Sequence, residues 1–190
     1  MNNHELTPYE RIIDTVSRLF YQEGIHATGI DRIVKESRVA KMSLYKYFPS
    51  KDHLVIAYLQ KRDVRWRAWL EEAVNRIGAT PEDRILAIFD ALDEWFHSSD
   101  FHGCGFINAA AEFNDEQRSV HDIVNEHKQL VHDYVKQLAQ AATLADIDRV
   151  ASQICLLMDG AIATALTRKN VNAAQTARQL ASMLLIQYRQ

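Results

Sequence analysis

One short segment of the chain combines basic, hydroxyl and phenolic side chains at helical spacing. Residues 37–48 have the sequence SRVAKMSLYKYF, in which Leu44 and Phe48 are spaced to face the same core. The opposite face carries the polar and basic side chains Lys41, Ser43, Tyr45, Lys46 and Tyr47. Lysine and hydroxyl groups bind phosphates and base edges, and a helix fits the major groove of duplex DNA. The pattern indicates a DNA-contacting helix, and a merely solvated polar face is the alternative.

The neighbouring elements are predicted to position this helix. Ser50 and Lys51 predict the start of a fourth helix. The unpaired backbone amides of its first turn and the Lys51 ammonium are then available to bind another phosphate. The sequence TPYE at residues 7–10 is typical of a capping box and predicts a first helix that ends at Gly24. The sequence TGID at residues 28–31 repeats that pattern and predicts a short second helix. Short helices joined by a tight turn and braced by longer ones form a helix-turn-helix.

The spacing G-(x)3-T-(x)4-I, followed by VAKMSLYKYFPSKDHL, resembles the DNA-binding signature of the tetracycline-repressor (TetR/AcrR) family. The matching positions are Gly24, Thr28, Ile33, Val39, Lys41, Leu44, Tyr45, Phe48, Ser50, Lys51 and Leu54. The resemblance implies that Tyr45 and Lys51 contact phosphates and that the start of the third helix contacts base edges. The DNA-binding residues predicted in total are Thr28, Lys41, Met42, Ser43, Tyr45, Lys46, Tyr47 and Lys51.

Three residues depart from the pattern of that family. Arg38 stands where the family usually has a turn glycine, and a left-handed conformation there costs about 1 kcal/mol. Ala40 replaces the usual Ser or Thr cap of the third helix. Met42 replaces a small residue, and it is predicted either to contact a thymine methyl group or to shield the hydrophobic core. We favour the second interpretation of Met42.

The rest of the chain is also predicted to be helical, which makes the fold class all-α. The fourth helix continues to Gly78, and the sequence TPED at residues 80–83 is a further capping box. The helical pattern stops around residues 102–105 and resumes at Phe106, and the final helices are expected over roughly 145–168 and 172–188. We expect a helix-turn-helix domain over residues 1–53 and a helical regulatory and dimerisation domain over residues 54–190.

Aromatic side chains of the C-terminal part are candidates for a small-molecule pocket, because such pockets are apolar with few polar groups. The predicted lining residues are Trp66, Trp69, Trp95, Phe96, Phe101, Phe106, Asn108, Phe113 and His121. Ordinary core packing is the alternative for each of them. The Gly-Cys order at Gly103 and the Asn at 108 resemble a motif in one branch of the same family, although the effector itself is not implied.

The last two helices carry small residues amid leucines, which allows close helix packing. By resemblance they pair with their copies into a four-helix bundle, so that a homodimer binds a palindromic operator. The predicted interface residues are Leu157, Ala161, Ala177, Leu180, Ala181 and Leu184. The pattern by itself is equally compatible with packing inside one chain.

Charge and cysteine content narrow the class of protein. Residues 1–65 carry 11 basic and 8 acidic side chains, whereas residues 66–190 carry 11 and 17, so only the N-terminal third suits a polyanion. Cys104 and Cys155 lie far apart, which predicts neither a disulfide framework nor a thiolate zinc site. The spacing of the histidines predicts no metal site, and no cofactor is expected. No apolar run approaches the roughly 18 residues of a membrane span, and we expect a cytoplasmic protein.

The sequence offers no convergent set of acid, base and nucleophile, so we expect a regulator rather than an enzyme. The function predicted is a ligand-responsive transcriptional regulator, with repression implied by the family resemblance. A ligand-independent or activating DNA-binding protein of the same fold is the alternative.

Overall fold

The computed structural model describes residues 6–113 and 118–189, and within these ranges all regular secondary structure is helical. The helices are α1 Pro8–Glu23, α2 Ile30–Ser37, α3 Lys41–Tyr47, α4 Lys51–Ile77, α5 Pro81–Phe96, α6 Gly105–Glu112, α7 Arg118–Ala141, α8 Ile147–Arg168 and α9 Ala173–Tyr188. The predicted all-α class is confirmed, as are the break before Phe106 and the two final helices.

The chain packs as two compact units. The first unit comprises Met1–Val64 and Gly105–Val124, and the second comprises Arg65–Cys104 and Asn125–Gln190. Of the three points of division, those after Val64 and Val124 fall inside helices, so α4 and α7 each contribute residues to both units, whereas the third lies between Cys104 and the start of α6. The packing therefore divides the chain differently from the boundary at residue 53, which stays a prediction about functional domains.

α1 is defined at both ends by local hydrogen bonds. The hydroxyl of Thr7 accepts from the Glu10 backbone N–H at 3.3 Å, and the Glu10 carboxylate accepts from the Thr7 N–H at 2.8 Å. This reciprocal pair confirms the predicted capping box. Gly24 ends the helix with φ 94° and ψ 155°, a conformation that is essentially restricted to glycine. The buried stripe of α1 consists of Ile12, Ile13, Val16, Leu19 and Phe20.

The capping box predicted at residues 28–31 is wrong. Gly29 is the N-cap of α2, and no side chain caps that helix. Thr28 instead donates its hydroxyl hydrogen to the Gly24 carbonyl at 2.8 Å and is fully buried. The hydroxyl therefore stabilises the turn between α1 and α2 rather than the first amides of α2.

The turn between α2 and α3 retains a left-handed residue although it has no glycine. Arg38 has φ 55° and ψ 37°, which is the conformation expected to cost about 1 kcal/mol for a side chain with a β-carbon. Ala40 provides no side-chain cap for α3. Burial of Leu44 and Phe48 on the inner side offsets these local costs, because each removes a large apolar side chain from water.

The core of the second unit lies where α5, α8 and α9 pack against one another. The capping box predicted at Thr80 is confirmed, since its hydroxyl accepts from the Asp83 N–H at 3.1 Å. By length and composition α8 is apolar enough to cross a membrane, but a single helix of this kind is weak evidence for a span, because the core helix of a folded domain meets the same criterion. Its buried side chains, including Ile154 and Met158, lie at helical spacing and face the α5 and α9 packing. Such packing is typical of the core helix of a folded domain.

Candidate nucleic-acid interface

α3 divides into a buried side and an accessible polar side. Leu44 is fully buried, and Phe48 is buried just beyond the end of the helix. Tyr9 of α1 stacks on Phe48 with ring centroids 5.3 Å apart and meets Tyr47 edge-on at 5.9 Å. The accessible side chains are Lys41, Met42, Tyr45, Lys46 and Tyr47, with Ser43 half-buried beside them. The structure thus brings these predicted DNA-contacting residues together on one surface, which we call the α3 surface.

Met42 lies on the outside of the first unit. Its side chain is 87% exposed, so the favoured interpretation that it shields the core is wrong. A methionine in this position adds a polarisable, apolar group to an otherwise polar surface. The alternative, contact with a thymine methyl group, stays a prediction.

Thr28 is removed from the predicted DNA-contacting set. Its side chain is fully buried and its hydroxyl is committed to the Gly24 carbonyl. A phosphate cannot approach a hydroxyl that has no accessible surface. Its position in the signature is explained by the turn that it stabilises, which the sequence pattern does not distinguish from DNA contact.

An ion pair joins the start of α3 to the start of α2. The Lys41 ammonium donates to the Asp31 carboxylate at 2.7 Å, and both side chains are exposed. The hydrogen bond to Asp31, together with its charge, raises the pKa of Lys41, so that the lysine remains a cation at neutral pH. Asp31 was expected only to cap α2, and its pairing with Lys41 is a feature that the sequence analysis missed.

Lys51 lies at the start of α4 and is half-buried. Its ammonium is 6.0 Å from the centroid of the Phe20 ring. Burial lowers the pKa of Lys51, with the negative charges of Glu112 and Asp52 acting in the opposite direction. Ser50 accepts from the His53 backbone N–H at 3.4 Å, as predicted for a residue that caps α4. Lys51 is therefore less accessible than the lysines of α3.

Ion pairs hold α2 against α1. Glu36 accepts from Arg18 and from Arg32, the latter at 2.9 Å, and Arg32 also donates to Glu23. The hydrogen bond from Arg18 and that from Arg32 hold the pKa of Glu36 below its usual value. This network is at the surface, where single pairs contribute little, but it restricts how α2 is oriented on α1.

The carboxylate of Glu112, the last residue of α6, caps the turn between α1 and α2. It accepts from the Ile25 backbone N–H at 2.9 Å and from the His26 backbone N–H at 2.6 Å. The His26 ring lies 3.3 Å from the same carboxylate and 5.1 Å from the Phe113 ring. A β-carbon at Gly24 would lie at an ordinary contact distance of 3.4 Å from this carboxylate, so glycine is favoured here by its φ of 94° rather than by lack of space. We call this arrangement the Glu112 cap.

The start of α6 also packs closely within the first unit. A β-carbon at Gly105 would lie 2.6 Å from the Arg62 Nε atom and 2.9 Å from the Tyr58 hydroxyl. A side chain at this position would require the ends of Arg62 and Tyr58 to shift, so glycine suits the close approach of α6 to α4. Arg62 in turn stacks on the Tyr21 ring of α1, 3.5 Å from its centroid. Both ends of α6 are thereby fixed relative to the helix-turn-helix.

Five of the predicted pocket residues form a connected cluster of rings in the second unit. Trp66 lies 5.9 Å from Trp69 and 6.1 Å from Trp95, and Trp95 lies 5.1 Å from Phe101. Phe96 completes the cluster, 4.9 Å from Phe101. The buried side chain of His127, which the sequence analysis did not assign to the pocket, lies 5.4 Å from Trp66. We call this set the aromatic cluster.

The other predicted pocket residues belong to the first unit. Phe106 is buried, Phe113 packs on the His26 ring, and Asn108 and His121 are half-buried. The structure thus assigns the predicted set to two units. A ligand pocket stays a prediction for both groups.

The residues predicted for a dimer interface differ in accessibility. Those buried inside the chain are Ala161, Ala177 and Ala181. Those that retain accessible surface are Leu157, Leu180 and Leu184. The three alanines pack within one chain, because they have almost no accessible surface left to bury against a partner. The predicted interface omits the most exposed apolar side chains of these helices, which are Leu156, Met183 and Ile186 at 74%, 67% and 63%.

The cysteines are not paired with each other. Cys104 is buried, and burial raises the pKa of Cys155 to about 12. A thiol with such a pKa is almost entirely protonated at neutral pH and a poor nucleophile. Within residues 6–113 and 118–189, no three His, Cys, Asp or Glu side chains are grouped as metal ligands.

Two family models match the chain. Residues 12–58 match the model described as bacterial regulatory proteins, tetR family, and residues 81–181 match the tetracyclin repressor-like C-terminal domain. The second match alone spans more than half of the 190 residues. The chain belongs to the TetR family. It is a DNA-binding transcriptional regulator of the helix-turn-helix type, as the resemblance implied.

Solved structures and curated relatives agree with this family. The TetR-family regulator SCO4454 from Streptomyces coelicolor is 31% identical, with a TM-score of 0.87 over 96% of this chain and 90% of that one. The regulator YjdC from Escherichia coli is 22% identical over 93% of this chain and 92% of its own length. The repressor NemR from Escherichia coli is 28% identical over 64% of each chain. The TetR fold is thus shared along the chain, while identities remain low.

The Glu112 cap predicts a specific stability effect in this TetR-family regulator. Glu112→Ala leaves two turn amides without their acceptor, which should lower the free energy of unfolding by about 1–3 kcal/mol. Glu112→Gln should cost less, because its amide oxygen still accepts one hydrogen bond. Urea unfolding followed by circular dichroism measures both effects.

Glu94→Ala is the matched control for this measurement. Glu94 is an exposed helical glutamate that pairs with Arg76, and a surface pair of this kind is worth about 0–1 kcal/mol. If Glu112→Ala is no more destabilised than Glu94→Ala, the cap does not stabilise the turn.

Proposed function

We propose that this TetR-family protein is a ligand-responsive repressor that binds a palindromic operator as a homodimer. The observation that carries the proposal is the α3 surface, where lysines, phenols and an exposed methionine lie opposite the buried Leu44. In helix-turn-helix proteins the second helix of the motif enters the major groove. Repression is supported by the name of one relative, the repressor NemR. The protein acts in the cytoplasm, where its cysteines remain reduced.

On the DNA side, different residues of the interface have different tasks. Tyr45 and Lys51 bind phosphates, which position the protein without regard to sequence. Lys41 and Met42, at the start of α3, contact base edges, with the Met42 side chain against a thymine methyl group. Lys46 and Tyr47 add exposed polar surface near the sugar-phosphate backbone of the DNA. The excess of basic over acidic residues in positions 1–65 supports this binding.

On the ligand side, the aromatic cluster is the proposed core of an effector site. Its three tryptophans and two phenylalanines provide stacking surfaces for an apolar or planar small molecule. His127 adds a polar ring next to Trp66. The Tyr134 hydroxyl in the same unit is buried without a hydrogen-bond partner, and burial raises the pKa of Tyr134 to about 12. It therefore remains a protonated donor in the physiological range.

The exposed apolar side chains of α8 and α9 support the dimer. Leu156, Leu180, Met183 and Ile186 each keep about half or more of their surface in the single chain. Exposed apolar residues of this size are typical of surfaces that bind another protein. In a homodimer with two-fold symmetry the same surface meets its own copy, which also pairs two α3 helices for a palindromic site.

Removal of a phosphate contact should change how binding depends on salt. Lys51→Ala should weaken binding to operator and random DNA alike. The negative slope of log K against log salt should become shallower by about one unit. Tyr45→Phe removes a hydrogen bond but no charge, so it should weaken binding without changing that slope. Fluorescence anisotropy over a range of salt concentrations measures both. An unchanged slope for folded Lys51→Ala would contradict the phosphate assignment.

Charges placed in the proposed dimer surface should separate the subunits. Leu180→Glu and Met183→Glu should give monomers that retain their helix content and bind a full operator much more weakly. Val64→Glu is the control, since Val64 is equally exposed but lies on α4. Sedimentation velocity measures the mass. Dimers that persist in both α9 variants would show that the interface lies elsewhere.

Induction predicts that ligand and operator weaken each other's binding. A small molecule that changes tryptophan emission should bind operator-saturated protein about 5 to 150-fold more weakly than free protein, because coupling is reciprocal. Emission titrations with and without operator give the two dissociation constants. Equal constants for every binder would support the ligand-independent alternative.

A further inference from the structure

The ion pair between Asp31 and Lys41 has no evident role in stability. Both side chains are exposed, at 87% and 54%, and surface pairs of this kind contribute little to stability. The carboxylate also lies next to the α3 surface, where it repels DNA phosphates and so weakens general binding. Because the Asp31 carboxylate contributes little stability and opposes nonspecific DNA binding, its role is best explained by a specific contact with a DNA base.

The pair presents a hydrogen-bond donor and an acceptor side by side. The Lys41 ammonium and the Asp31 carboxylate oxygen are 2.7 Å apart, and the ammonium has two further N–H groups. In the major groove a G·C base pair presents the complementary pattern, with guanine O6 and N7 as acceptors and the cytosine N4 amino group as donor. Guanine O6 and cytosine N4 are themselves hydrogen-bonded, so they are about 2.9 Å apart.

We propose that Asp31 and Lys41 together recognise one G·C base pair of the operator. Lys41 donates to guanine O6 and N7, while Asp31 accepts from the free N–H of cytosine N4. The hydrogen bond between the two side chains is retained, because its length matches the spacing of the groups that they contact. This inference rests on the proposed function, since it requires the start of α3 to face the major groove.

An A·T pair fits the same arrangement less well. Across the major groove an A·T pair presents the adenine N7 acceptor, then the adenine N6 donor, then the thymine O4 acceptor. The donor therefore separates the two acceptors. Lys41 then has one acceptor within reach instead of two adjacent ones. The methyl group of thymine also lies beside O4, where it hinders the hydrated ammonium. The pair should therefore select G·C and reject A·T at a single position of each half-site.

The test compares base preferences of variants on randomised duplexes. Bound DNA is selected and sequenced for the full-length wild type and for Asp31→Asn, Lys41→Ala and Asp52→Asn. Wild type should prefer G·C at one position by on the order of 10-fold or more. Asp31→Asn should reduce that preference about 5-fold, because its neutral amide oxygen accepts from cytosine N4 more weakly than a carboxylate does, while binding to random DNA becomes tighter. Lys41→Ala should lose the preference at the same position.

Asp52→Asn is the matched control for charge. Asp52 is an exposed acid in the first turn of α4, and its replacement changes the net charge by the same amount as Asp31→Asn. It should leave all base preferences as in wild type. The double variant Asp31→Asn with Lys41→Ala should lose no more preference than Lys41→Ala alone, because both residues contact one base pair.

The outcomes separate this inference from the proposed function. If no sequence is selected by folded wild type, specific DNA binding itself is refuted. If an operator is selected but Asp31→Asn keeps every base preference, Asp31 only neutralises Lys41 and the inference is wrong. Selection of A·T at the position lost by Lys41→Ala would overturn it as well. Circular dichroism of each variant confirms that a lost preference is not lost folding.

Discussion

The α3 surface depends on the burial of Leu44 and Phe48. α3 has seven residues, and an isolated helix of that length is unstable in water because nucleation is costly. It also lacks a side-chain cap and follows a left-handed Arg38. Its helical form therefore comes from tertiary packing of these two side chains and from the Tyr9 ring stacked on Phe48. Because the inner face is fixed by packing, the outer residues can be chosen for DNA recognition.

The helices that support α3 are themselves held by long-range polar contacts. Glu36 joins α2 to α1 through Arg18, and the Glu112 cap joins the end of α6 to the turn that precedes α2. Backbone amides bonded to a carboxylate form stronger hydrogen bonds than neutral pairs do. The position of α2, and hence of Asp31, is thus determined by residues far away in the sequence. Any rearrangement of α6 must either break the cap or move the turn with it.

Features set by neighbouring residues were predictable from the sequence. The capping boxes at Thr7 and Thr80 are local hydrogen-bond patterns, and both are present. Thr28 has the same pattern, yet its hydroxyl binds the Gly24 carbonyl because the turn buries it. Burial at single positions depends on how helices pack, which periodicity does not specify. The same limit explains the wrong preference for Met42.

Contacts between distant residues left no signal in a single sequence. Glu112 is separated from His26 by 86 positions, and nothing in its surroundings distinguishes it from other helical glutamates. Alanines at helical spacing in α8 and α9 correctly predicted close helix packing. They did not indicate whether these helices pack within the chain or against a second copy. Ala181, for example, is fully buried within the chain, whereas the nearby Met183 is exposed. Residue type alone does not state which of two apolar faces meets the core.

Acidic residues beside a DNA-binding surface express a balance between affinity and discrimination. Phosphate contacts raise the affinity for every sequence, so a purely basic surface binds the whole genome and gains no specificity. In the proposed complex, Asp31 opposes that general attraction and its ion pair ties Lys41 to a defined position. A repelling group lowers binding to incorrect sites more than to the correct one when the correct site offers it a partner. The small excess of 11 basic over 8 acidic residues in positions 1–65 follows the same principle. Specificity in such a domain comes from where its few charges are held rather than from their number.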